Sequence, residues 1–150
     1  MTEDSIQEQV ALLSSKNTTT GYAAMNALLA LSCKSEVVYS HVEEFFALLE
    51  SGNSYLRVRG LLLLAANARW DTEDQISQRL GRILIHITDE KPIAARQCIQ
   101  ALAEIAQWKP KLRKEIAPAL EAADFSSYAG SMRCLLEKDR ERLLSLMAAE

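Results

Sequence analysis

The sequence predicts an all-α protein, and three observations support this class. Leu (22) and Ala (21) dominate while Val (5) and Thr (6) are scarce, which favours helix over strand. Five Gly and three Pro leave little material for tight hairpin turns. Apolar residues recur at i, i+3, i+4 and i+7 in segment after segment, and no segment alternates with period two. The 150 residues suffice for one domain, residues 1–150, with its own core.

Boundary residues divide the first half of the chain into four predicted helices. Thr2 suits the N-cap of the first, and the second follows the threonines at 18–20 and ends near Cys33 or Lys34. Ser51-Gly52-Asn53 ends the third helix, because Gly suits a helix C-terminus, and Asn53 or Ser54 suits the N-cap of the fourth. The apolar stripes are Ile6, Val10, Leu13; Ala24, Leu28, Leu31; Val38, Val42, Phe45, Phe46, Leu49; and Val58, Leu61, Leu62, Ala65, Ala68.

The second half contains four more predicted helices, which gives eight helices in four pairs. Asp71 or Thr72 caps the fifth, whereas Pro92 and Pro110 open the sixth and seventh at first-turn positions. The eighth follows residues 124–127. The apolar stripes are Ile76, Leu80, Ile83, Leu84, Ile87; Ala95, Cys98, Ile99, Leu102, Ile105; Leu112, Ile116, Leu120; and Met132, Leu135, Leu136, Leu143, Leu144, Met147.

Three arginines indicate an internal repeat. Arg59, Arg96 and Arg133 lie 37 residues apart in matching apolar contexts. The first helix pair fits at an offset of 34, with Met25 in place of the arginine, and terminal repeats of stacked arrays are commonly atypical. The pattern divides the chain into repeats at about 3–34, 36–70, 72–108 and 110–149.

The segment VEEFFALLESGNSYLRVRGLLLLAANA at 42–68 resembles a HEAT repeat, with an outer helix, a polar turn and an inner helix opening with Val-Arg. IAPALEAADFSSYAGSMRCLL at 116–136 is similar, and Pro118 sits where HEAT outer helices often carry proline. The chain thus resembles a small stand-alone bacterial HEAT protein. The resemblance implies an α-α superhelix, or solenoid, of about four helical hairpins whose inner helices line a concave face.

The resemblance also implies an Asp six residues before each repeat arginine. The matching positions are instead Asn53, Glu90 and Ser127. We therefore expect Arg59 and Arg96 to bind helix-end carbonyls or Glu90.

The concave face is the candidate partner-binding surface. Helical geometry with the buried side of the fourth helix centred on Val58, Leu62 and Ala65 places other residues on the opposite side. The resulting strip comprises Tyr22, Asn26, Leu63, Asn67, Trp70, Gln97, Gln100, Glu104 and Trp108. Amides, one acid and aromatic ends suit a protein or peptide, so the leading hypothesis is a non-catalytic interaction scaffold. The alternative interpretation is that these residues are merely solvated. The acidic N-terminus, which no apolar run follows, favours a cytoplasmic location.

No catalytic, metal or cofactor site is expected. His41 and His86 are isolated, and Cys33, Cys98 and Cys134 show no ligand spacing, so they are interpreted as structural or exposed. Phosphate-binding loops and nucleophile elbows are missing. No apolar run reaches the roughly 18 residues of a membrane helix.

The alternative function is nucleic-acid binding or DNA base repair, because one HEAT-like family consists of DNA glycosylases. A net charge of −3 disfavours a general polyanion binder. The one basic cluster contains Lys109, Lys111, Arg113 and Lys114, and Trp70 with Asp71 is the nearest match to a catalytic acid beside an aromatic. Weak self-association through the end repeats is a third possibility.

Overall fold

The protein is all-helical in its computed structural model, which describes residues 1–149; Glu150, the last residue of the predicted domain, lies outside them. Within this range the chain forms no strand, and the predicted all-α class is confirmed. The α-helices are α1 (Glu3–Leu12), α2 (Thr18–Ser32), α3 (Val42–Leu48), α4 (Ser54–Asn67), α5 (Gln75–Gln78), α6 (Leu80–Leu84), α7 (Pro92–Trp108), α8 (Arg113–Ala122) and α9 (Gly130–Ala148). Short 3-10 helices span Tyr39–His41, Ala68–Trp70, Ile85–Thr88 and Pro110–Leu112.

Side-chain caps fix several helix starts. The Thr2 hydroxyl accepts a hydrogen bond from the Ser5 N–H at 3.1 Å, as predicted for this N-cap. Asn53 Oδ1 accepts from the Tyr55 N–H at 2.8 Å, and Pro92 is the first residue of α7; both starts are confirmed. These local signals are read reliably from sequence because they involve residues only a few positions apart.

The predicted fifth helix is wrong as a continuous element, because the chain forms α5, α6 and a 3-10 helix in its place. Asp74 adopts a left-handed conformation with φ of 55°, and Arg79 interrupts the helix with φ of −116°. The Asp71 carboxylate accepts the N–H groups of Gln75 and Ile76 at 2.9 and 3.0 Å, so it does cap the start of α5. Ile76, Leu80, Ile83 and Ile87 of the predicted apolar stripe are buried despite the breaks, and Leu84 is half-buried.

The four long helices pack side by side in chain order. Helix α2 contacts α4, α4 contacts α7, and α7 contacts α9. Each also contacts the shorter helix that precedes it: α1 on α2, α3 on α4, the Ile85–Thr88 turn on α7, and α8 on α9. The side of the long helices turned away from the shorter ones is called the long-helix face. It is defined by the exposed or half-buried residues Tyr22, Asn26, Tyr55, Val58, Leu62, Ile93, Gln97, Gln100, Glu104, Asp139, Arg142 and Leu146.

Nine of the 14 residues of helix α4 are buried, since the helix contacts α2, α3 and α7. Gly60 allows the closest approach: a Cβ there would lie 2.6 Å from the Phe45 carbonyl oxygen. The predicted orientation of this helix is wrong. Val58 and Leu62 are half-buried and face outward, whereas Leu63 is fully buried. The leucine run offers no polar side from which the orientation can be read, so the neighbouring helices determine it.

The three repeat arginines occupy three different environments. Arg59 is buried and donates to the carbonyls of Leu13 and Ser15 at the end of α1, at 2.8 and 2.9 Å, which confirms the expectation of a helix-end partner. Arg96 instead binds the Asp139 carboxylate of α9, so the expectation for it is wrong. Arg133 is exposed, 3.8 Å from Glu137 on its own helix.

Other helix ends are capped by side chains from the following pair of helices. Trp70 Nε1 donates to the Ser32 carbonyl at 2.8 Å, and Lys109 Nζ donates to the Asp71 carbonyl at 3.0 Å. Both bonds satisfy carbonyls that would otherwise lack partners, and Lys109 also places a positive charge at the negative end of a helix. The successive pairs are therefore joined by polar bonds as well as by apolar packing. None of the helices within residues 1–149 is both long and apolar enough to cross a membrane.

Candidate binding surface

Large apolar side chains are exposed along the long-helix face. Tyr22 and Tyr55 are each 60% exposed, Ile93 is 58% exposed and Leu146 is 56% exposed. Tyr55 and Ile93 lie in the first turns of α4 and α7, and these two adjacent helices place them side by side. Val58 and Leu62, both half-buried, extend this apolar surface along α4.

A groove of about 380 Å³ lies between α7 and α9 on this face. Its floor is apolar and its rim carries amides and charges. The lining residues are Ile93, Arg96, Gln97, Ile99, Gln100, Ala103, Asp139, Arg142, Leu143 and Leu146. Small-molecule pockets span roughly 300–1,000 Å³, so this open groove has room for a few side chains.

A second depression of about 430 Å³ lies between the first turns of α4 and α7. Tyr55 and Val58 line one side and Ile93 the other, with Lys91 at its edge. Ile93 also lines the groove between α7 and α9. The two depressions are therefore neighbours on one apolar surface that runs from Tyr55 to Leu146.

The groove carries more positive than negative charge. Arg96 donates to both carboxylate oxygens of Asp139, at 2.8 and 3.3 Å, and this hydrogen bonding raises the pKa of Arg96. Arg142 is exposed and forms no hydrogen bond or ion pair with any residue of the described chain. The guanidinium of Arg142 is thus available to a partner, whereas that of Arg96 is already engaged.

Five of the predicted surface residues are open to solvent to different extents. Tyr22, Asn26 and Gln100 are exposed, and Gln97 and Glu104 are half-buried. Of these, Gln97 and Gln100 line the groove between α7 and α9.

Leu63 and Asn67 were predicted for the same surface, and for them the prediction is wrong because both are 0% exposed. The Asn67 amide nitrogen donates to Ser32 Oγ at 3.2 Å and to the Leu63 carbonyl at 2.9 Å. The amide therefore joins α4 to α2 inside the protein. The sequence does not show that Asn67 is buried, because its hydrogen-bond partner Ser32 lies 35 residues away.

The two tryptophans lie at the C-terminal ends of α4 and α7. Trp70 is half-buried and its indole N–H is bound to Ser32 O. Trp108 is 41% exposed, and the Arg69 guanidinium stacks over its ring at 4.5 Å. Arg69 also contacts Glu104 at 3.4 Å. Trp70 is thus a helix-end cap, while Trp108 offers part of its ring to solvent.

Sequence reasoning missed the residues that make the face apolar. Tyr55, Val58 and Leu62 were assigned to the core or left unassigned, and Ile93 and Leu146 were not singled out. One available signal lies in α9, where Leu135, Asp139, Arg142 and Leu146 follow a second helical stripe beside the buried one. A second stripe with exposed leucines at both ends, Leu135 and Leu146, indicates a second contact surface.

Two buried aspartates hold the long helices in place. Asp89, whose side chain is 2% exposed, binds Arg57 of α4 through both carboxylate oxygens at 2.9 and 2.7 Å. His86 Nδ1 at 3.0 Å and the Lys91 N–H at 2.9 Å complete its partners. Burial alone would raise the pKa of Asp89, but the hydrogen bonds from Arg57, Lys91 and His86 outweigh burial, and the pKa lies below its ordinary value.

Asp71 forms the second cluster, with a fully buried side chain. It accepts a short hydrogen bond from the Tyr39 hydroxyl and lies 3.0 Å from Lys109 Nζ. Burial, followed by the hydrogen bond to Asp71, raises the pKa of Tyr39 to about 12. Both aspartates are saturated with structural partners, so the geometry gives them positioning roles.

Other reactive side chains are dispersed. Cys98 is buried, and burial raises the pKa of its thiol, which disfavours the nucleophilic thiolate. Cys33 and Cys134 are exposed on different helices or helix ends. Among residues 1–149, no three His, Cys, Asp or Glu side chains are grouped to hold a metal ion.

Comparison of the chain with known protein families, with curated proteins and with solved structures found no match. The geometry of the long-helix face is therefore the basis on which a function is proposed.

Proposed function

We propose that this protein is a non-catalytic interaction module that binds a segment of another protein on its long-helix face. The architecture we propose is a solenoid of four HEAT-like hairpins, in which each long helix is the inner helix of its pair and the long-helix face is concave. The order of helix contacts, long helix to long helix with one shorter helix behind each, supports this arrangement.

One observation carries the functional proposal: Tyr55, Ile93 and Leu146, each more than half exposed, lie on one continuous surface of three adjacent long helices. Single exposed apolar residues are ordinary, but a contiguous apolar surface with polar edges is typical of a protein-binding site. Gln97, Gln100 and Arg142 supply the polar groups that would fix the register of a bound segment.

The rigid scaffold favours binding by a preformed surface. The helices that carry the face are held by the buried Arg57–Asp89 pair, by Arg59 on α1, and by the Asn67 amide on α2. Because these groups are ordered before binding, the partner meets a fixed surface and the loss of conformational entropy on this side is small.

DNA base repair has less support as a function. The Asp71 carboxylate next to Trp70 is buried and fully engaged, which leaves it unable to face a substrate base. Lys109, from the basic cluster, pairs with Asp71 and Asp74. The groove between α7 and α9 contains a carboxylate and apolar walls, whereas nucleic-acid grooves require several free cations along the phosphate path.

The test is affinity purification with a face-disrupting variant. We expect Ile93→Ser combined with Leu146→Ser to reduce recovery of the partner at least tenfold, because both side chains would lose their apolar contacts with it. Quantitative mass spectrometry of the proteins bound to tagged wild type and variant measures the ratio.

Ile85→Ser is the matched control, because Ile85 is 66% exposed but lies on the 3-10 turn behind α7. It should recover the partner as wild type does. Equal recovery by all three proteins would contradict the assignment of binding to the long-helix face.

A further inference from the structure

The groove between α7 and α9 combines an apolar trough with an unbalanced charge. Ile93 and Leu146 form its walls, and Ile99 and Leu143, each 3% exposed, lie in its floor. Aliphatic side chains placed in this trough would remove the exposed walls from water, which is favourable in proportion to the apolar area covered.

Charge at the rim selects among apolar partners. The lining contains two guanidinium groups and one carboxylate, so its formal charge is positive although the whole chain carries −3. Asp139 is only 14% exposed and pairs with Arg96, so Arg142 is the charged residue of the lining that has no partner among the described residues. An acidic group of a partner would complete an ion pair here, whereas a basic group would be repelled.

We propose that the partner is an amphipathic acidic segment, with Asp or Glu adjacent to aliphatic side chains, whose carboxylate binds Arg142 while the aliphatic groups fill the trough. This inference rests on the proposed function and names the chemistry of the partner. Arginine suits the role because its planar guanidinium can donate two parallel hydrogen bonds to one carboxylate. Gln97 and Gln100, which flank the trough, can donate to and accept from polar groups of the same segment.

The size of the face sets the length of this segment. Adjacent packed helices lie about 8–10 Å apart, so the path from α4 across α7 to α9 covers roughly 16–20 Å. A helical segment of about twelve residues has a length of roughly 18 Å and would cover this path. Dodecapeptides are therefore long enough to serve as the probe.

The experiment is selection of a phage-displayed random dodecapeptide library against wild type and against Arg142→Glu. Peptides enriched on wild type should contain Asp or Glu within four residues of an aliphatic pair, and this acidic preference should disappear on Arg142→Glu. The most enriched peptide, synthesised with a fluorophore, should bind Arg142→Glu at least tenfold more weakly by fluorescence anisotropy, which corresponds to about 1.4 kcal/mol.

Arg133→Glu is the matched control, because it makes the same charge change on the same helix. The two arginines are nine residues apart and hence point to opposite sides of α9. Arg133→Glu should therefore retain the acidic preference and the wild-type affinity. Urea midpoints of both variants close to that of wild type show that α9 remains folded.

The outcomes separate this inference from the proposed function. Enriched peptides could bind wild type, bind Ile93→Ser/Leu146→Ser more weakly and show no acidic preference. That result would overturn the proposed partner chemistry but would still support binding on the long-helix face. No enrichment, or equal binding to the double-serine variant, would overturn both. A wild-type dimer seen by light scattering and lost in Arg142→Glu would assign the groove to a second copy of this chain and overturn the acidic segment.

Discussion

Helices α4 and α9 are both long helices rich in leucine, yet their surroundings differ sharply. Nine of the 14 residues of α4 are buried, whereas only Leu136 and Leu143 are buried among the 19 residues of α9. Helix α4 has long helices on both sides, α2 and α7, and α9 has one, α7. The position of a helix among the packed long helices, rather than its apolar content, thus decides how many of its residues are buried.

The same difference applies to polar residues. Arg57 and Arg59 in α4 are buried and bonded to distant parts of the chain, whereas Arg133 in α9 is exposed beside Glu137. Arg59 therefore links α4 to the end of α1, whereas Arg133 is a solvated residue of α9. This comparison leads to three predictions about stability.

The largest effect is expected for Arg57→Met. The substitution leaves the Asp89 carboxylate buried without its bidentate partner, and breaking a buried ion pair in this way costs about 3–5 kcal/mol. Urea denaturation followed by circular dichroism measures the loss. Arg133→Met is the matched substitution in α9 and should change stability by less than about 0.5 kcal/mol.

A second variant keeps this prediction testable if Arg57→Met proves too unstable to study. Arg57→Met combined with Asp89→Leu removes both charges, so it should regain part of the lost stability. If Arg57→Met and Arg133→Met lost similar amounts of stability, the buried ion pair of α4 would contribute no more than the exposed contact in α9, contrary to this prediction.

The sequence was sufficient for several helix starts but not for the environments of the residues within the helices. Thr2, Asn53 and Pro92 mark helix starts through bonds or backbone geometry within a few residues. By contrast, the bonds of Arg57 to Asp89 and of Arg59 to Leu13 join residues 32 and 46 positions apart. Such partners become visible only once the packing of the helices is known.

A smaller effect is expected for Gly60→Ala in α4. A Cβ at this position would lie 2.6 Å from the Phe45 carbonyl oxygen and 3.0 Å from the Leu48 Cβ, and backbone cannot move aside cheaply. Overpacking of this kind costs about 1–3 kcal/mol. Differential scanning calorimetry should show a lower melting temperature.

Gly130→Ala in α9 is the matched substitution, because a Cβ there would meet nothing within 4 Å. It should leave stability unchanged or raise it by up to about 1 kcal/mol through helix propensity. A melting temperature lowered equally by both alanines would contradict the close contact at Gly60.

The candidate surface was predictable only in part, for a related reason. On α7, charged and amide residues share one side, and Gln97, Gln100 and Glu104 are half-buried or exposed. On α4 the outward side consists of Tyr55, Val58 and Leu62, which look like core residues by composition. A binding face made of apolar residues cannot be distinguished from a core face until the neighbours of the helix are known.

The smallest effect concerns the pH dependence of the buried pair. The pKa of Asp89 in the folded protein lies below its ordinary value of about 3.9, chiefly because Arg57, Lys91 and His86 hydrogen-bond the ionised form against the cost of burial. A lowered pKa means that ionised Asp89 contributes stability above about pH 4, and that this contribution is lost as pH falls through the folded-state value. Asp89→Asn cannot titrate, so its deficit relative to wild type should be constant near neutral pH and should shrink below about pH 4.

Urea midpoints of wild type and Asp89→Asn, measured from neutral pH down to about pH 3, give this difference directly. Glu137→Gln serves as the control at the end of the array, because its carboxylate is exposed and 3.8 Å from Arg133. Its difference from wild type should stay within about 0.5 kcal/mol over the same range. A deficit of Asp89→Asn that persists unchanged at the lowest pH would show that the carboxylate charge adds nothing to stability. In that case apolar packing alone would account for the different contributions of α4 and α9 to stability.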